Sequence, residues 1–64
     1  MKIRYDKETD IVYIRFSELK IAESDQEKPD IILDYAETGQ IVGIEILRAS
    51  ANMEQVNGIL YEVA

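Results

Sequence analysis

The side chains best suited to chemistry here are carboxylates. Asp34 and Glu45 stand inside two apolar stretches, "IILDY" and "IVGIEI". Two carboxyls whose surroundings separate their pKa values can act as general acid and general base. That chemistry needs a pocket, and 64 residues offer little concavity. Asp6, Glu8 and Asp10 alternate like the start of a calcium loop. An EF-hand needs glycine at its sixth position and glutamate at its twelfth, and Ile11 and Ser17 stand there instead. With no histidine and no cysteine, imidazole catalysis, thiolate zinc sites and disulfides are excluded. Ser17, Ser24 and Ser50 have no histidine or lysine constellation to activate them. Gly39, Gly43 and Gly58 are too dispersed for a phosphate loop. The expectation is a protein that is not an enzyme and carries no metal or cofactor.

The elements that position Asp34 and Glu45 follow from alternation. In "MKIRYDKETDIVYIRF", Ile3 and Tyr5, then Val12, Ile14 and Phe16, recur at period two around the turn "DKET". This predicts a hairpin in which Asp6 bonds its own following backbone. Lys20, Ala22 and Ser24 alternate weakly, predicting a short polar edge strand at about 19–24, and "DQEKPD" reads as a loop because Pro29 biases Lys28 to extended geometry. "IILDY" and "QIVGIEIL" predict a second hairpin closed by "AETG", with Gly39 at a positive φ. A four-residue loop would set Tyr35 opposite Gln40, Leu33 opposite Val42, Ile31 opposite Ile44 and Asp34 opposite Ile41. Ser50 is a candidate N-cap for a helix over 50–57, with Met53, Val56 and Leu60 at helical spacing and Asn57-Gly58 as its stop. Residues 59–63 fit a last helical turn or a strand with Ile59, Tyr61 and Val63 on one side, and a short extended tail is the preferred reading. The predicted fold is a single α+β domain, 1–64. It has a small antiparallel sheet of four to five strands built from two hairpins, with one short C-terminal helix packed on one face.

The hairpins echo each other at an offset of thirty: Tyr5 with Tyr35, Ile11 with Ile41, Val12 with Val42, Ile14 with Ile44. That pattern suits a duplicated hairpin with pseudo-twofold packing, although any two alternating hairpins align somewhat. Alternation leaves one sheet face apolar and the other mixed. The mixed face carries Tyr13, Arg4, Arg15, Asp34 and Glu45 beside aliphatics, so its acids can pair with Arg15 or Arg4 across strands. One helix cannot cover both faces. Gly43, flat and mid-strand, is placed to admit close approach of a side chain or backbone.

"KIRYDKETDIVYIRF" and "IILDYAETGQIVGIEILRAS" resemble the small prokaryotic family called domain of unknown function 2283, over roughly Lys2 to Ser50. The carrying features are Tyr5-Asp6 before an acidic turn, the Tyr13-Ile14-Arg15 strand, and Asp34-Tyr35 followed by Gly39 and Val42-Gly43-Ile44-Glu45-Ile46. Ile11, where the family often has a small residue, and the tail after Ser50 depart from the pattern. The resemblance implies a compact β-rich domain and no established activity; some members look like partners in toxin–antitoxin-like arrangements.

Composition bounds the partners. A net charge of −6 with seven scattered basic residues disfavours nucleic acid. It suits either a basic protein partner or solubility alone. The longest apolar run is Ile11 to Ile14, so neither a membrane span nor a signal peptide is expected, and a cytoplasmic location is the default. Small chains without disulfides or metals commonly gain stability by oligomerising. The leading expectation is an interaction module that self-associates, a dimer being favoured, through Tyr13, Arg15, Ile41, Gly43, Glu45 and Leu47 of the mixed face. The alternative is an acidic antitoxin-like partner of a basic toxin, with Asp30, Asp34 and Glu45 supplying charge. A small enzyme using Asp34 and Glu45 is the reading the sequence supports least.

Overall fold

A computed structural model describes residues Met1–Ala64. Five strands, β1 (Lys2–Asp6), β2 (Ile11–Arg15), β3 (Glu23–Lys28), β4 (Ile31–Tyr35) and β5 (Ile41–Ile46), precede one helix, α1 (Ala49–Asn52). The strands form one sheet in the order β1-β2-β5-β4-β3, and every neighbouring pair is antiparallel. The predicted α+β class, two hairpins and a C-terminal helix are all present.

The two hairpins meet at β2 and β5. Ile14 and Ile44, thirty residues apart, are direct partners. Val12 lies opposite Ile46, and the Phe16 N–H donates to the Val42 carbonyl at 2.7 Å. These two pairings exchange under the same offset of thirty. The hairpins are therefore related by an approximate twofold axis passing between Ile14 and Ile44.

The second hairpin differs in register from the sequence expectation. Ala36 N–H donates to the Gln40 carbonyl at 2.8 Å and Gly39 N–H to the Ala36 carbonyl at 2.9 Å, so the loop is Glu37-Thr38-Gly39. Gly39 takes φ 91° there, as a loop of this length requires. Dropping one residue from the loop would move every later side chain to the opposite face. A register shift next to Asp34 and Tyr35 restores the parity: Tyr35 pairs with Ile41, but Asp34 pairs with Gly43, Leu33 with Ile44 and Ile31 with Ile46. The extra residue, Val42, is fully buried. The apolar set stays on one face, and Asp34 faces Gly43 rather than Ile41.

The third strand lies later than the predicted 19–24. Arg15 donates to the carbonyls of Ser17 (2.8 Å) and Leu19 (3.1 Å), and Ser17 Oγ accepts from Leu19 N–H, which folds 17–19 into a loop. β3 then runs through "ESDQEK", exposed along its whole length. An edge strand needs hydrogen bonds on one side only, so it tolerates a composition that reads as loop.

The helix is one turn, not the predicted 50–57. An isolated segment this short has no intrinsic stability. It is held from outside, by Asp10 and Asp30, the last residue of the β1–β2 turn and the residue just before β4. Ser50 is not the N-cap. That position is Arg48, left-handed at φ 47° and without a side-chain cap. Instead Ser50 donates its N–H and Oγ–H to the Asp10 carboxylate, at 3.1 and 2.6 Å, and Ala49 N–H donates to the Asp10 carbonyl. Met53 is already extended, and Met53 and Val56 settle beside Tyr5 at one end of the apolar face. Residues 59–63 have no regular structure.

Candidate functional site

The mixed face carries an unusual polar cluster. Its centre is Asp34, only 1% exposed. Directly opposite Asp34 lie Ser24 on β3 and Gly43 on β5. Ser24 donates its hydroxyl to Asp34 Oδ1 at 2.5 Å. Gly43 leaves a gap, and Tyr13 fills it. A Cβ at Gly43 would sit 2.9 Å from the Tyr13 hydroxyl oxygen and 2.8 Å from the Ile14 carbonyl oxygen. The Tyr13 ring thus lies across β5 towards Asp34, through the close approach that Gly43 permits. Glu45, opposite Tyr13 on one side and Ile32 on the other, reaches Asp34 diagonally on the same face.

The electrostatics follow from that crowding. Burial pushes the Glu45 carboxyl above its ordinary value, and the Asp34 carboxyl beside it pushes further. Burial also raises the Tyr13 phenol, with Asp34 adding to the effect. Two buried polar atoms have no hydrogen-bond partner: Tyr13 Oη and Asp34 Oδ2. Both the Glu45 carboxyl and the Tyr13 hydroxyl lie beside Asp34, and either could donate to its Oδ2 when protonated. The expected pairing of these acids with Arg15 or Arg4 is absent: Arg15 spends its guanidinium on Ser17 and Leu19, and the ion pair in the structure is Arg48–Asp30 at 2.7 Å.

Of the six residues expected on the mixed face, Tyr13, Gly43 and Glu45 converge. Arg15 is opposite Gly43 but turned to the 17–19 loop. Ile41 pairs with Tyr35 because of the register shift, which sets it with the apolar-side residues and away from the cluster. Leu47 lies beyond β5, where its N–H donates to the Asp30 carbonyl at 2.8 Å. Sequence reasoning missed Asp34 as the centre of the cluster and Ser24 as its partner. No sequence signal marks Ser24, because its role depends on where β3 begins.

Concavity lies elsewhere. A surface cavity of about 440 Å³ on the mixed side of the first hairpin is lined by Lys2, Arg4, Ile11, Tyr13 and Arg15, among others. None of the surface cavities is lined by Asp34 or Glu45. No cluster of three or more acidic, histidine or cysteine side chains is arranged to hold a metal ion. No helix is long and apolar enough to cross a membrane.

The family model described as protein of unknown function DUF2283 matches residues 2–50, and the chain belongs to that family. Searches of curated proteins and of solved structures found no match.

Proposed function

We propose that this DUF2283 protein is a non-enzymatic interaction module that self-associates, with the open apolar side of its sheet as the contact surface. The supporting observation is surplus surface. A compact monomer of 7.4 kDa would expose about 4,200 Å² by the usual scaling with mass. This chain exposes 5147 Å². The excess, roughly 900 Å², is close to the ~800 Å² that one partner contributes to a standard interface. Its radius of gyration, 12.3 Å, also exceeds the ~11 Å expected of a chain this long.

The exposed C-terminal residues Ile59, Leu60, Tyr61 and Val63 carry part of the excess, and the short helix accounts for more of it. A single turn at the end of the sheet leaves the apolar face without a second layer, and a sheet is stable when that face is covered. Val12, Ala36, Val42 and Ala49 are the buried apolar residues, while Ile3 and Phe16 on the apolar side are 39% and 45% exposed. A second copy laid face to face would supply the missing layer. On the mixed face, Tyr13, Gly43 and Glu45 are already engaged with Asp34, so the larger uncommitted apolar area is on the other side.

A second reading keeps the charge argument. Asp34 is buried and Asp30 is tied to Arg48, so neither offers free charge to a basic protein. The exposed edge strand β3, with Glu23, Asp25 and Glu27, is the acidic surface such a partner would meet.

Sedimentation equilibrium at micromolar concentration tests the first reading. We expect a dimer, and we expect Phe16→Asp to shift it to a folded monomer. A wild-type monomer across that range would overturn it.

A further inference from the structure

The C-terminal segment adds a second anomaly. Ile59, Leu60, Tyr61 and Val63 are 68%, 83%, 72% and 82% exposed. Four large apolar side chains in a run of five, held out in water, are a surface without a partner. At the same time β1 is an open sheet edge, paired with β2 and nothing else. An open edge presents a row of unpaired N–H and C=O groups that an extended segment can satisfy.

We infer that residues Ile59–Val63 of a second copy add to β1 as an extra strand of the sheet. The inference rests on the self-association proposed above and names one of its contacts. Side-chain parity selects β1. An extended Ile59–Val63 sets Ile59, Tyr61 and Val63 on one side and Leu60 and Glu62 on the other. β1 has Ile3 and Tyr5 on the apolar side, opposite Ile14 and Val12, and Lys2 and Arg4 on the mixed side, opposite Arg15 and Tyr13. The two patterns match. Ile59, Tyr61 and Val63 extend the apolar face past Ile3, and Glu62 arrives beside Lys2 and Arg4. Neither of those cations has an ion-pair partner of its own. Leu60 falls on the side where Ile11 and Tyr13 form the apolar part of the cavity.

The other open edge does not fit. On β3, Glu23 and Asp25 lie opposite Tyr35 and Leu33 and so face the apolar side. They would meet either the apolar residues of the segment or, with the segment reversed, Glu62. Like charges across neighbouring strands are destabilising. Within one chain the segment leaves its own β1 unpaired, which points to exchange between copies.

The test uses the full-length chain in three measurements: sedimentation, point substitution, and an isotope-filtered NOE between Ile3 and Tyr61 in a mixture of labelled and unlabelled protein. We expect a dimer with an interchain Ile3–Tyr61 contact. Tyr61→Asp should weaken dimerisation about tenfold or more, the loss of one aromatic anchor. Glu62→Lys should weaken it several-fold, and Arg4→Glu combined with Glu62→Lys should restore most of that loss. A dimer unchanged by Tyr61→Asp and lacking the interchain contact overturns this inference and leaves self-association standing. An Ile3–Tyr61 contact confined to one chain also overturns it. A wild-type monomer overturns both readings.

Discussion

Gly43 decides what its neighbours can do. Any side chain there meets the Ile14 carbonyl, which cannot move without disturbing the central strands. Gly43→Ala should therefore destabilise the fold by about 1–3 kcal/mol in urea unfolding, the usual cost of overpacking. Tyr13→Phe should behave differently. The hydroxyl it removes is buried beside Asp34 without a well-formed hydrogen bond, so stability should change little. Glu45 carries a pH signature. Its folded carboxyl titrates above its ordinary 4.5, so the protonated form stabilises the fold below that value. The contribution is lost as pH rises through the raised value. Glu45→Gln puts a permanent donor beside Asp34 Oδ2. It should add on the order of 1 kcal/mol at pH 8 and little at pH 4, read from the same urea curves. From the sequence, Gly43 was legible as a site of close approach. The meeting of Asp34 with Glu45 was not, because it hangs on one loop residue and one register shift, and neither changes the apolar pattern.

At the scale of elements, the helix exists because two turns hold it. Hydrogen bonds from Ser50, and then from Tyr5, keep the Asp10 carboxyl below its ordinary 3.8. The Arg48 guanidinium, and then Asn52, do the same for Asp30. A lowered carboxyl stabilises the fold above its unfolded value and loses that effect as pH falls through the folded one. These two therefore act oppositely to Glu45. Stability should peak in the weakly acidic range, with Asp10→Asn flattening the acid limb and Glu45→Gln the alkaline limb of a Tm-against-pH curve. Asp10→Ala should lower Tm by several degrees at pH 7 and release the Ser50 amide to rapid hydrogen exchange. The two hairpins were readable because period-two alternation is strong in β1, β2, β4 and β5. β3 and the helix were not, because each is formed by partners distant in sequence: β3 by the edge of β4, the helix by Asp10 and Asp30. Helical spacing at Met53, Val56 and Leu60 is overridden once Asn52 turns its side chain to Asp30 and to the Leu47 and Arg48 carbonyls.

At the scale of the whole molecule, the approximate twofold builds a sheet with an apolar side and no lid. Alternation made the two-sidedness legible, since it sets Ile3, Val12, Ile14, Ile44 and Ile46 on one face. The missing lid was not legible, because helical spacing in the tail promised a longer cover than one turn. Anything that covered such a face would add to the chain's stability, because a partner that binds only the folded form raises Tm by mass action. If the cover is a second copy, Tm must depend on protein concentration. We expect it to climb steadily from micromolar to millimolar protein in differential scanning calorimetry. In Phe16→Asp it should be flat, because the charge at a 45%-exposed position spoils the contact without entering the monomer's core. A wild-type Tm independent of concentration would mean that the monomer is stable with its apolar face in water. The surplus surface would then have to be matched to a different protein.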